Sequence, residues 1–192
     1  MLKNTALILA EQSRCSRVFR LMTRKDLRVL AYHGFSFDDE HLWAPGVFMR
    51  PRVFEDRMKY LADNSYPVLG LDEALYLQDN GKLPEGATVI TIDDGWYSTK
   101  ALAHEILRKY RFPYTLYVSS YYVAKESPVF NMAVQYMVWK TAKKGVCAQD
   151  IGMSGSQAFV FFDKDYRAAT ADRIIEYGNE ELDHEGRMTL LE

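Results

Sequence analysis

The chain has 192 residues, 48% hydrophobic and 26% charged, the balance of an ordinary globular protein with enough length for a sizeable core. A formal net charge of −2 speaks against a general nucleic-acid binder, which would be basic, and no apolar run has the length needed to cross a bilayer. The two cysteines, Cys15 and Cys147, lack the CxxC spacing of a zinc ribbon or redox motif and fit two free thiols in a reducing compartment better than one disulfide.

Residues 1–26 form the first segment. The apolar run Ala6-Leu7-Ile8-Leu9-Ala10 stops at Glu11-Gln12, too short for a secretory h-region, and no small-residue cleavage pattern follows. Leu2, Ala6, Leu9, Val18 and Leu21-Met22 recur at helical spacing, with Arg14, Arg17, Arg20, Arg24 and Lys25 between them. This predicts a basic amphipathic helix. Packing on its own domain is the favoured placement, because the apolar face is modest. Attachment to an anionic membrane surface is the alternative. The expected location is therefore cytoplasmic, with a membrane-peripheral position left open.

Residues 27–123 read as parallel α/β. Leu27 to Tyr32 is a short apolar run, predicted to be a buried strand that ends in His33-Gly34. Phe35 to Gly46 has no period and reads as a loop. Pro51 stands where a helix begins, with Phe54, Met58 and Leu61 on one face. Tyr66 to Leu69 is extended, and a helix opens at Leu71 and stops near Asn80-Gly81. Ala87 to Ile92 is the clearest strand, β-branched from Thr88 onward. Ser98 is a candidate N-cap for a helix to about Tyr110. Pro113 bars its continuation, and Tyr114 to Val118 is a further strand. Alternating strands and helices predict a parallel sheet with its chemistry at the strand C-termini. His33-Gly34 and Asp93-Asp94-Gly95 both fall there.

Residues 124–192 break the pattern. Asn131 to Lys144 reads as helix, Gly145 to Gln157 as a polar stretch, and Phe159 to Phe162 as an apolar patch. Asp165 to Gly178 reads as a helix with Tyr166, Ala169, Ile174 and Tyr177 as its inner face. The tail is acidic.

The chemistry concentrates in Asp93-Asp94. Two adjacent carboxylates at the end of a buried strand repel, and burial disfavours both charges; a cation nearby relieves that cost. Successive strand residues point to opposite faces. One carboxylate can therefore ligate a metal while the other handles a proton, unless the backbone turns sharply at Gly95. On the dipeptide alone, a plain turn is the better explanation of Asp94-Gly95, because Asp-Gly is a common turn.

The surrounding residues change that weighting. Val89-Ile90-Thr91-Ile92-Asp93-Asp94-Gly95-Trp96 resembles the first motif of the polysaccharide deacetylases (carbohydrate esterase family 4), Thr-Phe-Asp-Asp-Gly followed by an aromatic. Leu30-Ala31-Tyr32-His33, Phe54 to Leu61, Leu83 to Ala87 and Leu107 to Thr115 resemble the family's other early segments in the same order. The resemblance covers roughly residues 27 to 123, and the N-terminal part of the family only. It implies an incomplete deacetylase-like (β/α) barrel preceded by the amphipathic helix, with residues 124–192 as a helical insertion and truncated end. It implies further that Asp93 is the general base and that Asp94 is one ligand of a divalent metal, commonly zinc. The reaction would be hydrolysis of N-acetyl groups on an amino-sugar polymer, an amide hydrolase activity of carbohydrate metabolism. His33 is expected to line the site. Arg111-Phe112-Pro113-Tyr114 mimics a later family motif but follows the acid pair too closely, and reads as an ordinary turn.

One departure stands out. The family's remaining ligands come from His-[Ser/Thr]-x-x-His, and His33, His41, His104 and His184 include no such pair. His41, His104 and His184 are expected at the surface. The chain is therefore expected to be an inactive piece of a longer enzyme, its unfinished barrel prone to self-association. A non-catalytic glycan-binding or interaction domain is the main alternative; histidines supplied by a second chain and an acid-pair phosphate hydrolase are the others.

Overall fold

The β-branched run that ends in the acid pair is the middle strand of the principal sheet. The computed structural model describes residues 15–153, 158–161 and 163–192. Its strands in chain order are β1 (Arg28–Tyr32), β2 (Gly34–Phe35), β3 (Phe48–Met49), β4 (Thr88–Ile92), β5 (Thr115–Leu116), β6 (Gly145–Cys147) and β7 (Ala158–Val160). β1, β4 and β5 make a parallel sheet in the order β1-β4-β5, with Arg28 opposite Thr88 and Tyr32 opposite Ile92. All five residues of β4 are buried. That is the burial expected of a central parallel strand covered on both faces, and it explains why this run is continuously apolar or β-branched. The fold is mixed α/β.

The chain divides into two compact units. The first takes in Gly46–Val118 with the described residues up to His41, and the second takes in Leu42–Pro45 and Ser119–Glu192. In the first unit, Pro51–Asp63 forms a helix with Pro51 at its opening turn, where the missing N–H costs nothing. Its buried face is Phe54, Met58 and Leu61, as the spacing predicts. Phe54 packs edge-on to Tyr32, with ring centroids 4.9 Å apart, and lies 4.7 Å from Phe35. Ile90, Ile92 and Leu107 complete this core.

The second unit is built on the helices Phe130–Lys140 and Lys164–Glu181, with Phe130, Val134, Val138, Phe159 and Ile174 in its core. Asp163 caps the second helix, its carboxylate accepting from the N–H groups of Asp165 (3.0 Å) and Tyr166 (3.1 Å). Gly178 sits where a Cβ would run into the ring of Phe130, so close packing of the two helices needs glycine there.

Several expectations are corrected. β1 is an edge strand in the described sheet and is only partly buried: Val29 is 52% exposed while Tyr32 is buried. The region read as loop after His33 contains β2 and a short helix, Glu40–Trp43. β2 pairs in parallel with β3, a contact between segments too short to show a period. The polar stretch after residue 144 begins with β6, which pairs antiparallel with β7 in the apolar patch. Lys164–Glu181 buries Thr170, Ala171, Ile174 and Gly178, whereas Tyr166 is 54% exposed and Ala169 is exposed. The inner face is thus rotated toward Phe130, which the sequence pattern of the helix alone does not contain.

Residues 1–14 of the expected N-terminal helix lie outside the described ones. Cys15–Met22 is helical, but Val18, Leu21 and Met22 are exposed rather than packed. The attachment comes after the helix, where the Gly86 N–H donates to the Arg24 carbonyl at 2.7 Å and the Arg28 guanidinium donates to the Thr23 carbonyl at 3.1 Å. No helix among the described residues is long and apolar enough to cross a membrane.

Two stability predictions follow from these contacts. Phe54→Ala removes a fully buried ring from the first core and should cost about 3–5 kcal/mol in urea denaturation. Asp163→Ala should cost only about 0.5–2 kcal/mol, because it removes a cap and leaves both cores intact. A Phe54→Ala loss no larger than the cap loss would show that the first core does not rest on this ring.

Candidate active site

The site forms where β1 and β4 end side by side. Beyond the Tyr32–Ile92 pair, the Asp93 N–H donates to the Tyr32 carbonyl at 2.8 Å. The parallel register therefore sets His33 and Asp93 at matching positions on the C-terminal rim of the sheet. Both are half-buried. Tyr32, just below them, is buried and its hydroxyl is pushed above the usual tyrosine range by desolvation, an effect partly offset by a hydrogen bond and the positive charge of Arg57.

Strand alternation stops at Asp94. Asp94 has φ +71° and Gly95 has φ +78°, so two successive residues adopt left-handed backbone. Aspartate tolerates this conformation better than most residues, and glycine adopts it freely. The chain reverses one residue earlier than the expected pivot at Gly95. A Cβ at Gly95 would also be a tight fit, 3.0 Å from Cγ1 of Val118. Asp94 is exposed, which corrects the expectation that burial makes both carboxylates costly; water screens Asp94. Its Oδ2 accepts a hydrogen bond from the Trp96 indole at 3.2 Å, and Trp96 is held in turn by an edge-on contact with Phe48, centroids 5.1 Å apart.

Ser98 has a different job from the one expected. Its side chain caps no helix. Residues 97–98 are already helical, a π-helical turn runs over Thr99–Ala103, and an α-helix follows at His104–Tyr110. The buried Ser98 Oγ instead accepts from the Phe35 N–H at 3.0 Å. That bond ties the segment after His33 to the segment after Asp94, across 63 positions of sequence. Its only sequence signal is a serine close behind the acidic motif, which capping explains equally well.

The other histidines stand apart. His41 is half-buried, not on a loop surface; its N–H donates to Ser36 Oγ at 3.0 Å. His104 is exposed, with its Nδ1 3.2 Å from the Tyr114 hydroxyl. His184 is half-buried, with its Nδ1 3.2 Å from the Tyr121 hydroxyl. Arg111 ends the His104–Tyr110 helix in left-handed backbone at φ +56°, as a turn into β5 requires. Among the described residues no three His, Cys, Asp or Glu side chains converge as a set that could hold a metal ion. Three protein ligands with one open position is the usual catalytic zinc arrangement, and the described residues do not form one.

No family model matches the chain. A Bacillus subtilis protein named as a polysaccharide deacetylase, YxkH, is 34% identical over 93 residues, covering 48% of this chain and 31% of that protein. A Staphylococcus aureus poly-β-1,6-N-acetyl-D-glucosamine N-deacetylase (strain NCTC 8325 / PS 47) is 32% identical over 74 residues, covering 38% and 26%. Among solved structures, a de-N-acetylase from Aggregatibacter actinomycetemcomitans aligns at TM-score 0.46 and 28% identity, over 54% of this chain and 40% of that one. The Streptococcus pyogenes deacetylase PplD aligns at TM-score 0.47 and 21% identity, over 57% and 50%. The chain thus spans about a third or less of the length of these curated relatives. Over the part of its length that aligns with them, the chain is similar to curated proteins named as polysaccharide deacetylases.

Proposed function

We propose that this chain supplies the proton-accepting half of a polysaccharide N-deacetylase site. The observation that carries the reading is the Asp93-Asp94-Gly95 turn. It follows directly on the buried central strand, in a chain that over part of its length is similar to curated relatives named as deacetylases. In the reaction, water adds to the acetamide carbonyl carbon, the C–N bond breaks, and acetate and a free amine leave. Asp93 is assigned the general base, which removes the proton from the attacking water. Its half-buried position and its backbone tie to Tyr32 hold the carboxylate at the strand end. His33, beside it in the register, is assigned to the wall of the same site.

Asp94 is assigned as one carboxylate ligand of a divalent metal, zinc being the first to test. Its exposure leaves it accessible to an ion, and the Trp96 indole orients it. The described donors do not complete such a site, so no step is routed through the metal. The remaining ligands are assigned to polypeptide other than these 192 residues, and the chain alone is expected to be inactive. The proposed substrate is an N-acetylated amino-sugar polymer.

The test uses both carboxylates, in the whole reading frame that contains this chain. Asp93→Asn should lower turnover of an N-acetylglucosamine oligomer by about 10²–10⁴-fold and leave metal content after dialysis largely unchanged. Asp94→Asn should lower the metal content itself, because a neutral amide oxygen is a poorer ligand than a carboxylate. The opposite pattern would reverse the two roles. Full activity in both variants would leave the motif as a turn only and remove the basis of the proposal.

A further inference from the structure

The rim that carries the acid pair also carries two aromatic rings that the catalytic assignment does not use. Phe37 lies four residues after His33, and Tyr97 lies three residues after Asp94. Their rings stack on each other with centroids 6.2 Å apart and planes 23° from parallel. Both stay open to solvent: Phe37 is 57% exposed and Tyr97 71%. The neighbouring aromatics behave otherwise, since Phe35 and Phe48 are buried and Trp96 is half-buried. The stack is therefore no extension of the core; it is a separate apolar surface on the rim.

Its position is set by bonds already described. The bond from the Phe35 N–H to Ser98 Oγ fastens the residue two before Phe37 to the residue just after Tyr97. The two segments are thereby held together by a buried contact, and the two rings stack close to it in sequence. The Tyr97 segment continues from the Asp93-Asp94-Gly95 turn, and the Phe37 segment continues from His33 at the end of the neighbouring strand. A platform built this way is preorganised, so a ligand landing on it does not have to order the loops first.

We propose that Phe37 and Tyr97 form a platform for one pyranose ring of the substrate polymer, next to the residue that is deacetylated. The inference rests on the deacetylase reading above and names how that site would hold its polymer. A pyranose presents an apolar face of axial C–H groups. Their partial positive charge is attracted to the negative face of an aromatic ring, and the contact removes apolar area from water on both sides. The ring edges and hydroxyl groups remain in solvent. The platform recognises the ring face and is indifferent to the acetyl group, so the partly deacetylated polymer remains bound as well.

The test separates polymer holding from chemistry. Tyr97→Ala, Phe37→Ala and Tyr97→Phe are made in the whole reading frame that contains this chain. Turnover is followed on β-1,6-linked N-acetylglucosamine oligomers, with thermal melting as the check on folding. Each alanine variant should raise KM by between about twofold and tenfold, the range expected for one aromatic contact, with kcat unchanged. Tyr97→Phe should retain the parent KM, since the ring face and not the hydroxyl makes the contact. Unchanged KM in both alanine variants, with turnover still dependent on Asp93, would overturn the platform and leave the deacetylase reading standing. A fall in kcat and melting temperature with no change in KM would make the stack a structural support and equally overturn it. Absence of turnover in the parent protein on every N-acetylated oligomer would remove the deacetylase reading, and the platform with it.

Discussion

The hydrogen bond from the Asp93 N–H to the Tyr32 carbonyl, 2.8 Å long, is the point on which the site depends. It is the last rung of a ladder that starts at Arg28 and Thr88. β4 is buried over its whole length, while β1 is covered on one face only, so a shift of β1 by one residue would turn Tyr32 from the covered face to the open one, and the register resists slippage. The acid motif inherits this rigidity. Asp93 is placed by a paired, buried strand, and only after it does the chain turn.

The turn divides the two carboxylates by environment. Asp93 remains half-buried beside His33, while Asp94, in left-handed backbone, moves out into solvent. Adjacent like charges are least costly in that arrangement, because water screens one of the pair. The same reversal brings Trp96 back against Asp94 and Phe48 and sets Tyr97 on Phe37. Gly95 allows the reversal through its positive φ and through the absence of a Cβ against Val118. A single tight turn thus separates the carboxylates and builds the aromatic surroundings of the site.

The two units differ in how legible they are. In the first, the helix Pro51–Asp63 and the strand β4 follow from patterns contained within one element: an apolar face at helical spacing and a β-branched run. In the second, the helix Lys164–Glu181 is recognisable as a helix, yet its buried face is displaced from the one its apolar residues suggest. Gly178 and Thr170 are buried there, and Tyr166 is not. The approach of Phe130 decides this, from 48 positions away in sequence. β6 is missed for a related reason, since a three-residue strand has too few positions to display alternation and is defined by its partner β7.

Local physics therefore determined a definite share of this protein from sequence alone. It covers the apolar periods of the longer elements, the parallel order of the strands β1, β4 and β5, and the acid pair at the end of a strand. Tertiary structure alone decided the rest. Ser98, a plausible cap by position, is taken by the Phe35 N–H because that donor is buried and needs an acceptor. β1 reads as buried from composition, yet only one of its faces is covered, since burial belongs to the sheet and not to the strand. Phe37 and Tyr97 are 60 residues apart in sequence and unremarked in any local pattern; they meet because the parallel register of β1 and β4 ends both strands on the same rim. Periodicity reports how one segment meets its surroundings on average, whereas a site is made of contacts between segments, and those exist only once the register is set.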